Sequence, residues 1–157
     1  MKFADFICFD AVVAELEATD RDGVIAELVL ALADASKLAK SKVKEVTRAV
    51  IKRENEASTG MGKSIAVPHV KCSAVKQVIA AVGRSSVGID FSSLDKQPVY
   101  SIFLLISPLG EPDKHLQAME TIFKHLQSEM FRKFLRQEQS AERIIELLRE
   151  ADENPAL

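Results

Sequence analysis

The chain has 157 residues, of which 47% are hydrophobic and 28% are charged, and its formal net charge is −2. This length and composition indicate one globular domain with its own core rather than an intrinsically disordered chain. The chain lacks the Lys/Arg block of a nucleic-acid binder, and its longest strongly apolar run, residues 99–106, is far too short to insert into a membrane.

The N-terminal segment and the cysteines indicate a cytoplasmic protein. The first ten residues are too acidic and too poor in apolar residues for a signal peptide. Cys8 and Cys72 are too few for a disulfide framework or a four-ligand metal site, and free thiols suit a reducing compartment. We therefore expect no metal site.

A strand and a helix are predicted first. Residues 11–16 form a short apolar run that is typical of a strand. Thr19 is placed to cap the following helix, and Asp20 and Asp22 favour its positive end. Apolar residues then recur at helical spacing, namely Val24, Ile25, Leu28, Val29 and Leu32.

A second helix is predicted to begin after Ser41, which can cap it, and to end near Glu54 or Asn55. One face of this helix is apolar and holds Val43, Val46, Val50 and Ile51. The following residues, 57–64, are rich in glycine and hydroxyl groups, which is typical of a loop.

The centre of the chain shows strand patterns. Residues 65–67 form a short apolar run that ends at Pro68, because proline cannot donate to a central ladder. Residues 78–82 and 99–106 are further strand candidates, and residues 88–97 between them are predicted to be a loop.

The C-terminal third is helical in pattern. A third helix is predicted from about residue 114 to residue 127, with an apolar side made of Leu116, Met119, Ile122, Phe123 and Leu126. Residues 130–135 and 141–148 continue the helical pattern, and the tail, residues 152–157, should fray. Strands mixed with helices favour a layered α/β domain.

One motif in the predicted loop matches a relaxed nucleotide-binding phosphate loop. Gly62, Lys63 and Ser64 follow Ala57 at the required spacing, although the strict form has glycine in place of Ala57. A nucleotide-binding loop leaves a strand and enters a helix, whose first amides cradle the phosphates. Here a helix precedes the loop and a proline-stopped apolar run follows it, so we expect no nucleotide binding.

The segment 53–69 concentrates groups that can hold a phosphoryl group. Glycines let backbone N–H groups approach an anion, and hydroxyl and guanidinium groups donate to phosphoryl oxygens. A neutral imidazole is a nucleophile near neutral pH. The groups belong to Arg53, Ser58, Thr59, Gly60, Gly62 and His69. On spacing alone, a lone histidine after proline is more often a loop residue without a task, and Arg53 a solvated helix-end charge.

Three linked motifs and a later pair occur in order: Arg53-Glu54, Ser58-Thr59-Gly60-Met61-Gly62, Ile65-Ala66-Val67-Pro68-His69, and His115-Leu116. Together they resemble the enzyme IIA domain of the bacterial phosphotransferase system, in its fructose, mannitol and nitrogen-regulatory class. That family often has a further glycine where Ser64 stands. The resemblance covers about residues 3–151 and implies one ordered domain within residues 1–157. It also implies an α/β fold with a mixed, mostly five-stranded sheet flanked by helices.

The resemblance implies a role for each matched residue. His69 would be the phosphorylated residue. His115 would be a second active-site histidine that donates to the phosphoryl group or orients His69, although at a helix start it could equally face solvent. His125 matches no family feature and is expected to be structural or superficial. The phosphoryl site would be lined by Arg53, Ser58, Thr59, Gly60 and Gly62.

The resemblance implies a phosphotransferase without a cofactor. HPr, or its nitrogen-branch relative, would donate the phosphoryl group to His69, and a sugar-specific IIB protein or domain would accept it. The alternative is a stand-alone regulatory IIA protein of the nitrogen type, whose phosphorylation state controls binding to protein partners. A structural domain with a degenerate site is disfavoured because the motif residues occur together.

Overall fold

In the computed structural model, which describes residues 1–156, the chain forms a six-stranded mixed sheet flanked by α-helices. The strands are β1 (Ile7–Val13), β2 (Gly60–Gly62), β3 (Ile65–Ala66), β4 (His69–Cys72), β5 (Ile79–Ile89) and β6 (Val99–Pro108). The helices are α1 (Arg21–Asp34), α2 (Val43–Glu56), α3 (Pro112–Leu126), α4 (Glu129–Gln137) and α5 (Ala141–Glu153). The expected mixed α/β class is confirmed.

Strand β6 connects the two halves of the sheet, whose order is β1-β5-β6-β3-β2. Strand β5 pairs antiparallel with one edge of β6, and β3 and β4 both pair parallel with the other edge. Ile65 lies opposite Ser101, and His69 lies opposite Leu105. His69 is thereby fixed beside the C-terminal half of a buried strand.

The side chains of β6 belong to two cores on opposite faces of the sheet. Leu104 and Ile106 join the core formed with α1 and α2, whereas Phe103 and Leu105 join the core formed with α3, α4 and α5. A strand that is buried on both faces reads as a continuous apolar run. This explains the unbroken apolar pattern of residues 99–106.

The first helix has the predicted apolar residues in its core face, but its predicted cap is wrong. The Asp20 carboxylate, not the Thr19 hydroxyl, accepts the backbone N–H of Gly23, at 2.6 Å. A capping side chain must reach an N–H in the first turn of the helix. Thr19 lies one residue too far from that turn.

The predicted cap of the second helix is also wrong. Ser41 lies inside a short 3-10 turn, Lys40–Lys42, in which the N–H of Lys42 donates to the carbonyl of Ala39 at 2.9 Å. The α-helix begins only at Val43, without a side-chain cap. The extra turn moves Ser41 out of the capping position.

The N-terminal strand is displaced from its predicted position. Strand β1 begins at Ile7 and ends at Val13, so it overlaps only the first half of residues 11–16. Its parallel pairing with β5, in which Ile7 lies opposite Ala80, sets these limits. Strand β5 extends to Ile89, well beyond the predicted residues 78–82, because it also pairs antiparallel with β6, where Ile89 lies opposite Val99.

Two short strands were not predicted. Strand β2 lies within the segment 57–64 that was expected to be a loop, and it pairs antiparallel with β3. Strand β4 begins directly after Pro68 and pairs with β6. Both are too short to show a period of two, so their formation depends on partners that are distant in sequence.

The buried side of α3 differs from the predicted side. Ile122 and Leu126 are buried as expected, but Leu116 is 58% exposed and His115 is only 9% exposed. His115, Ala118 and Ile122 follow the spacing of one helix face and turn toward the sheet.

The predicted tail is partly helical, because α5 continues to Glu153. Its Asp152 carboxylate accepts the N–H groups of Phe3 and Ala4 at 2.6 and 2.9 Å. These bonds attach the end of α5 to the N-terminus of the chain, while the last residue of the predicted tail, 157, lies outside the described residues. Among residues 1–156, no helix has the length and apolarity needed to cross a membrane.

Candidate active site

His69 is held at the beginning of β4 by hydrogen bonds on both sides of Pro68. The Pro68 carbonyl accepts the N–H of Leu105 on β6, at 2.9 Å. The ring atom Nδ1 of His69 lies 2.8 Å from the carbonyl oxygen of Val67. A carbonyl can only accept, so His69 carries its proton on Nδ1, and its Nε2 keeps a free lone pair when the ring is neutral.

His115 lies in the first turn of α3 and faces His69. The centroids of the two rings are 5.7 Å apart, with 50° between the ring planes. The Nδ1 atom of His115 lies 2.6 Å from the hydroxyl oxygen of Ser107, which is fully buried at the end of β6. The structure therefore brings the two histidines together and does not direct His115 to solvent.

The surroundings of both histidines lower their pKa values and so favour neutral rings. Burial lowers the pKa of His69, and Arg53 and Lys71 act in the same direction against the Val67 hydrogen bond and Glu54. Burial, the charge of protonated His69 and the ammonium of Lys71 lower the pKa of His115 to about 4. A neutral imidazole is the form in which a ring nitrogen can attack phosphorus.

Arg53 and Glu54 lie in the last turn of α2 and have different surroundings. The guanidinium of Arg53 donates to the carbonyl of Ala57 at 2.9 Å and remains partly exposed. Glu54 is only 2% exposed, and its carboxylate accepts the N–H and the hydroxyl of Thr59 at 2.6 and 2.7 Å. Glu54 thus fixes the loop that follows the helix.

The two hydroxyl groups of the motif have protein partners in this structure. The Ser58 hydroxyl donates to the carbonyl of Phe91 at 2.5 Å and accepts the N–H of Gly60 at 3.0 Å. The Thr59 hydroxyl donates to Glu54. Either hydroxyl would have to rotate before it could donate to an anion.

Close packing explains why Gly60 and Gly62 have no side chain. A Cβ atom on Gly60 would overlap the side chain of Ser93, and one on Gly62 would lie 3.2 Å from the carboxylate of Asp95. Gly62 also has a φ of +84°, which side chains disfavour. Both glycines therefore let the β2 strand pack against the loop that contains Ser93 and Asp95.

The segment that matched a phosphate loop is the turn of a β-hairpin. Lys63 and Ser64 join β2 to β3, and their φ angles are +57° and +66°. Positive φ at both central residues is the pattern of a type I′ turn, which favours asparagine and glycine. A strand follows the turn in place of a helix, which contradicts the nucleotide-binding reading. Ser64 adopts the backbone conformation that the family glycine would favour.

His125 is a structural residue. It is 4% exposed, and its ring lies 4.9 Å from that of Phe3 and 5.7 Å from that of Phe131, by centroid.

Three residues near the histidines were not singled out from the sequence as site residues. Glu54 was noticed only as part of a motif, because its burial and its bonds to Thr59 are visible only in the structure. Lys71 lies two residues after His69 on β4, and period-two spacing places both on one face. Ser107 is a hydroxyl near the end of an apolar strand, eight residues before His115. Within residues 1–156, no group of three or more His, Cys, Asp or Glu side chains could hold a metal ion.

Residues 6–151 match the sequence profile of the family described as "Phosphoenolpyruvate-dependent sugar phosphotransferase system, EIIA 2". The chain is 32% identical over 152 residues to a fructose-specific EIIABC component of Bacillus subtilis, covering 97% of this chain and 24% of that protein. It thus spans about a quarter of the length of that relative.

Solved structures share the fold. Nitrogen regulatory protein IIA-Ntr from Neisseria meningitidis has a TM-score of 0.83 and 26% identity, over 93% of this chain and 98% of that one. Enzyme IIAMTL from Escherichia coli, solved in complex with phosphorylated enzyme IIBMTL, has a TM-score of 0.73 and 19% identity. That match covers 90% of this chain and 95% of the other, and it shows the fold alone.

Proposed function

Because the chain belongs to the EIIA 2 family of the phosphoenolpyruvate-dependent sugar phosphotransferase system, we propose that it carries a phosphoryl group on Nε2 of His69. Phosphorylated HPr, or an HPr-like protein of the nitrogen branch, is the donor, and a IIB component is the acceptor, in the cytoplasm. The proposal rests chiefly on the bond between Nδ1 of His69 and the carbonyl of Val67, which leaves Nε2 as the free nucleophile.

The reaction exchanges one nitrogen–phosphorus bond for another. The lone pair of His69 Nε2 attacks the phosphorus of the donor phosphohistidine, and the donor ring leaves with the electrons of its own N–P bond. The second transfer repeats the step with a nucleophile of the IIB component. Since no large covalent rearrangement is needed, the protein contributes position and charge stabilisation.

The charge brought by the phosphoryl group requires local cations and donors. A phosphoryl group adds about −1.5 to −2 charges at pH 7, whereas the whole chain has a net charge of −2. The guanidinium of Arg53 and the ammonium of Lys71 are near enough to His69 to affect its pKa. We assign them to neutralising the phosphoryl oxygens, because a guanidinium fork suits such oxygens.

His115 serves as a neutral donor in this proposal. The 2.6 Å contact between the Ser107 hydroxyl and Nδ1 of His115 fits donation in either direction, and we assign the hydroxyl as the donor, which places the ring proton on Nε2. That N–H can then donate to a phosphoryl oxygen on the neighbouring His69. Ser107 is therefore a positioning residue, because it sets the tautomer and does not touch the reacting atoms.

Ser58, Thr59, Gly60 and Gly62 complete the phosphoryl site in the proposal. Because Ser58 and Thr59 donate to Phe91 and Glu54 in this structure, their hydroxyl hydrogens reorient when the phosphoryl group arrives. The glycines contribute through the backbone, which their lack of a side chain allows to pack closely.

A regulatory role is the second candidate. It is supported by the match to IIA-Ntr of Neisseria meningitidis, which extends over 98% of that chain. In that role the phosphorylated and unphosphorylated forms bind protein partners differently, and the acceptor step is dispensable. Adding purified IIB components to the phosphorylated protein separates the two roles, since only a carrier loses its label to one of them.

The test of the acceptor residue is labelling with phosphoenolpyruvate that carries a radioactive phosphoryl group, in the presence of enzyme I and HPr. We expect one acid-labile, base-stable phosphoryl group on the wild-type protein, no label on His69→Ala or His69→Gln, and a slower but complete labelling of His115→Gln. Undiminished labelling of both His69 variants, with folding confirmed by circular dichroism, would refute the assignment.

A further inference from the structure

A cavity of about 600 Å³ lies between the β2–β3 hairpin and α4, and its charged lining is mostly positive. Lys63 contributes from the hairpin, and Arg132, Lys133 and Arg136 contribute from the helix, whereas Glu129 is the one carboxylate in the lining. The cavity therefore has an excess of three positive charges in a chain whose net charge is −2. Ligand pockets of small molecules have similar volumes.

These cations are not neutralised by the protein itself. Within residues 1–156, the ion pairs join Arg21, Lys42 and Arg84 to carboxylates, and none involves a residue of this cavity. Arg132 and Arg136 lie four residues apart on one helix, a spacing at which like charges destabilise a helix. An anion between them would remove this repulsion.

Both arginines of the lining are held in place by contacts within the protein. The guanidinium of Arg136 lies over the ring of Tyr100, 3.8 Å from its centroid. Arg132 donates from Nη1 to the carbonyl of Leu126, at 2.6 Å. Because stacking occupies the face of a guanidinium and leaves N–H groups at its edge, Arg136 can still donate to an anion. Such preorganisation lowers the entropy cost of binding.

This cavity is separate from the phosphoryl site around His69. It contains Ile65 and Ser101, which pair across β3 and β6, whereas His69 pairs with Leu105. Four residues along β6 correspond to about 13 Å. Of the residues in the motifs that carry the family resemblance, Ile65 alone lines the cavity.

We propose that the cavity between the hairpin and α4 binds a small anionic metabolite that carries a diphosphate or two phosphoryl groups. A ligand of this class has roughly three negative charges at pH 7, which matches the excess of positive charge in the lining. Cations on two walls, the hairpin and the helix, suit two phosphate groups better than one. The hairpin continues through β3 to His69, so such a ligand binds one end of the segment that carries the proposed phosphorylation site.

The experiment is calorimetric titration of the full chain with inorganic pyrophosphate at low ionic strength. We expect one binding site, and a dissociation constant that rises roughly tenfold in Lys63→Gln and in Lys133→Gln. Neither lysine has a side-chain hydrogen bond or ion pair to lose, so both variants should fold. Lys44→Gln changes the net charge equally but lies on α2, at the opposite face of the sheet, and should bind as the wild type does.

Two further measurements distinguish this cavity from the phosphoryl site at His69 and from a nucleotide-binding phosphate loop. His69→Gln should retain pyrophosphate binding, because the cavity does not include the phosphoryl site. Magnesium, which reduces the charge of pyrophosphate, should weaken binding, in contrast to a nucleotide-binding phosphate loop. Absence of pyrophosphate binding, equal weakening in Lys44→Gln, or loss in His69→Gln would overturn the proposal. Binding of heparin without binding of pyrophosphate would also overturn it, in favour of an extended polyanion.

Discussion

Acidification should destabilise the folded protein through His115. The ring is 9% exposed, and burial is the main reason that its pKa falls to about 4 in the folded chain, against 6.5 for an unperturbed histidine. The unfolded chain therefore binds a proton at a pH where the folded chain does not. Stability must fall as pH decreases from about 6.5 to about 4, and the His115 contribution is constant outside that window.

The size of the effect follows from these two pKa values. With a folded pKa of about 4 and an unfolded pKa of 6.5, the free energy of unfolding should decrease by about 2 kcal/mol between pH 7 and pH 5. The full loss below pH 4 approaches about 3 kcal/mol. His69, whose pKa is also lowered, adds to the loss in the same direction.

Urea unfolding of wild type and His115→Gln at pH 7, 6 and 5 measures this contribution. Glutamine cannot titrate and can still form a hydrogen bond with Ser107, so the variant should lose about 2 kcal/mol less than wild type over this interval. Most carboxylates titrate below pH 5, which keeps their contribution small. Equal losses in the two proteins would show that His115 is not desolvated as the structure indicates.

Three other predictions concern the phosphoryl site and the hairpin. Arg53→Ala should slow transfer from phosphorylated HPr by roughly ten- to a hundredfold, and the rate of Arg53→Lys should lie between those of Arg53→Ala and wild type. An unchanged rate in Arg53→Ala would show that this arginine is only a charge at the end of a helix. Ser107→Ala should slow transfer about tenfold and change the tautomer of His115 seen by ¹⁵N NMR, whereas Ser107→Thr should keep both the rate and the tautomer of the wild type. An unchanged tautomer in Ser107→Ala would show that Ser107 has no part in the mechanism. Replacing Lys63-Ser64 by Asn-Gly should stabilise the protein by about 1 kcal/mol and raise the Tm by about 2–4 °C, as measured by calorimetry; a lower Tm would contradict the positive φ angles.

The helices could be predicted from the sequence, but two of the three short strands, β2 and β4, could not. The period of 3.6 in α1 is carried by its own apolar residues, and all five predicted ones are buried. Strands β2 and β4 have only three and four residues, and they exist because β3 and β6 supply their hydrogen bonds. Nothing local in the sequence specifies such pairing.

The candidate site could be predicted where its residues are close in sequence or match a motif of the family. Arg53 and His69 belong to linked motifs in one segment, so they were recognised together, and His115 followed from the family resemblance. Ser107 could not be found in this way, since its role depends on how the end of β6 meets the first turn of α3. Lys71 would have been recognised as a neighbour of His69 if β4 had been predicted, because strand residues two apart share a face.

The fold places the two partly buried histidines together, at a cost of stability in acid. Strand β4 runs parallel to β6, so His69 and the buried end of β6 are adjacent, and α3 returns over that end with His115 in its first turn. Burial keeps both rings neutral, at a cost of stability at low pH, and a neutral ring is what a nucleophile and an uncharged donor require. If either ring were fully solvated, its pKa would approach 6.5, and the fraction of protein with both rings neutral would fall near neutral pH. In the proposed function, the same burial that makes the fold sensitive to acid keeps His69 available to accept a phosphoryl group.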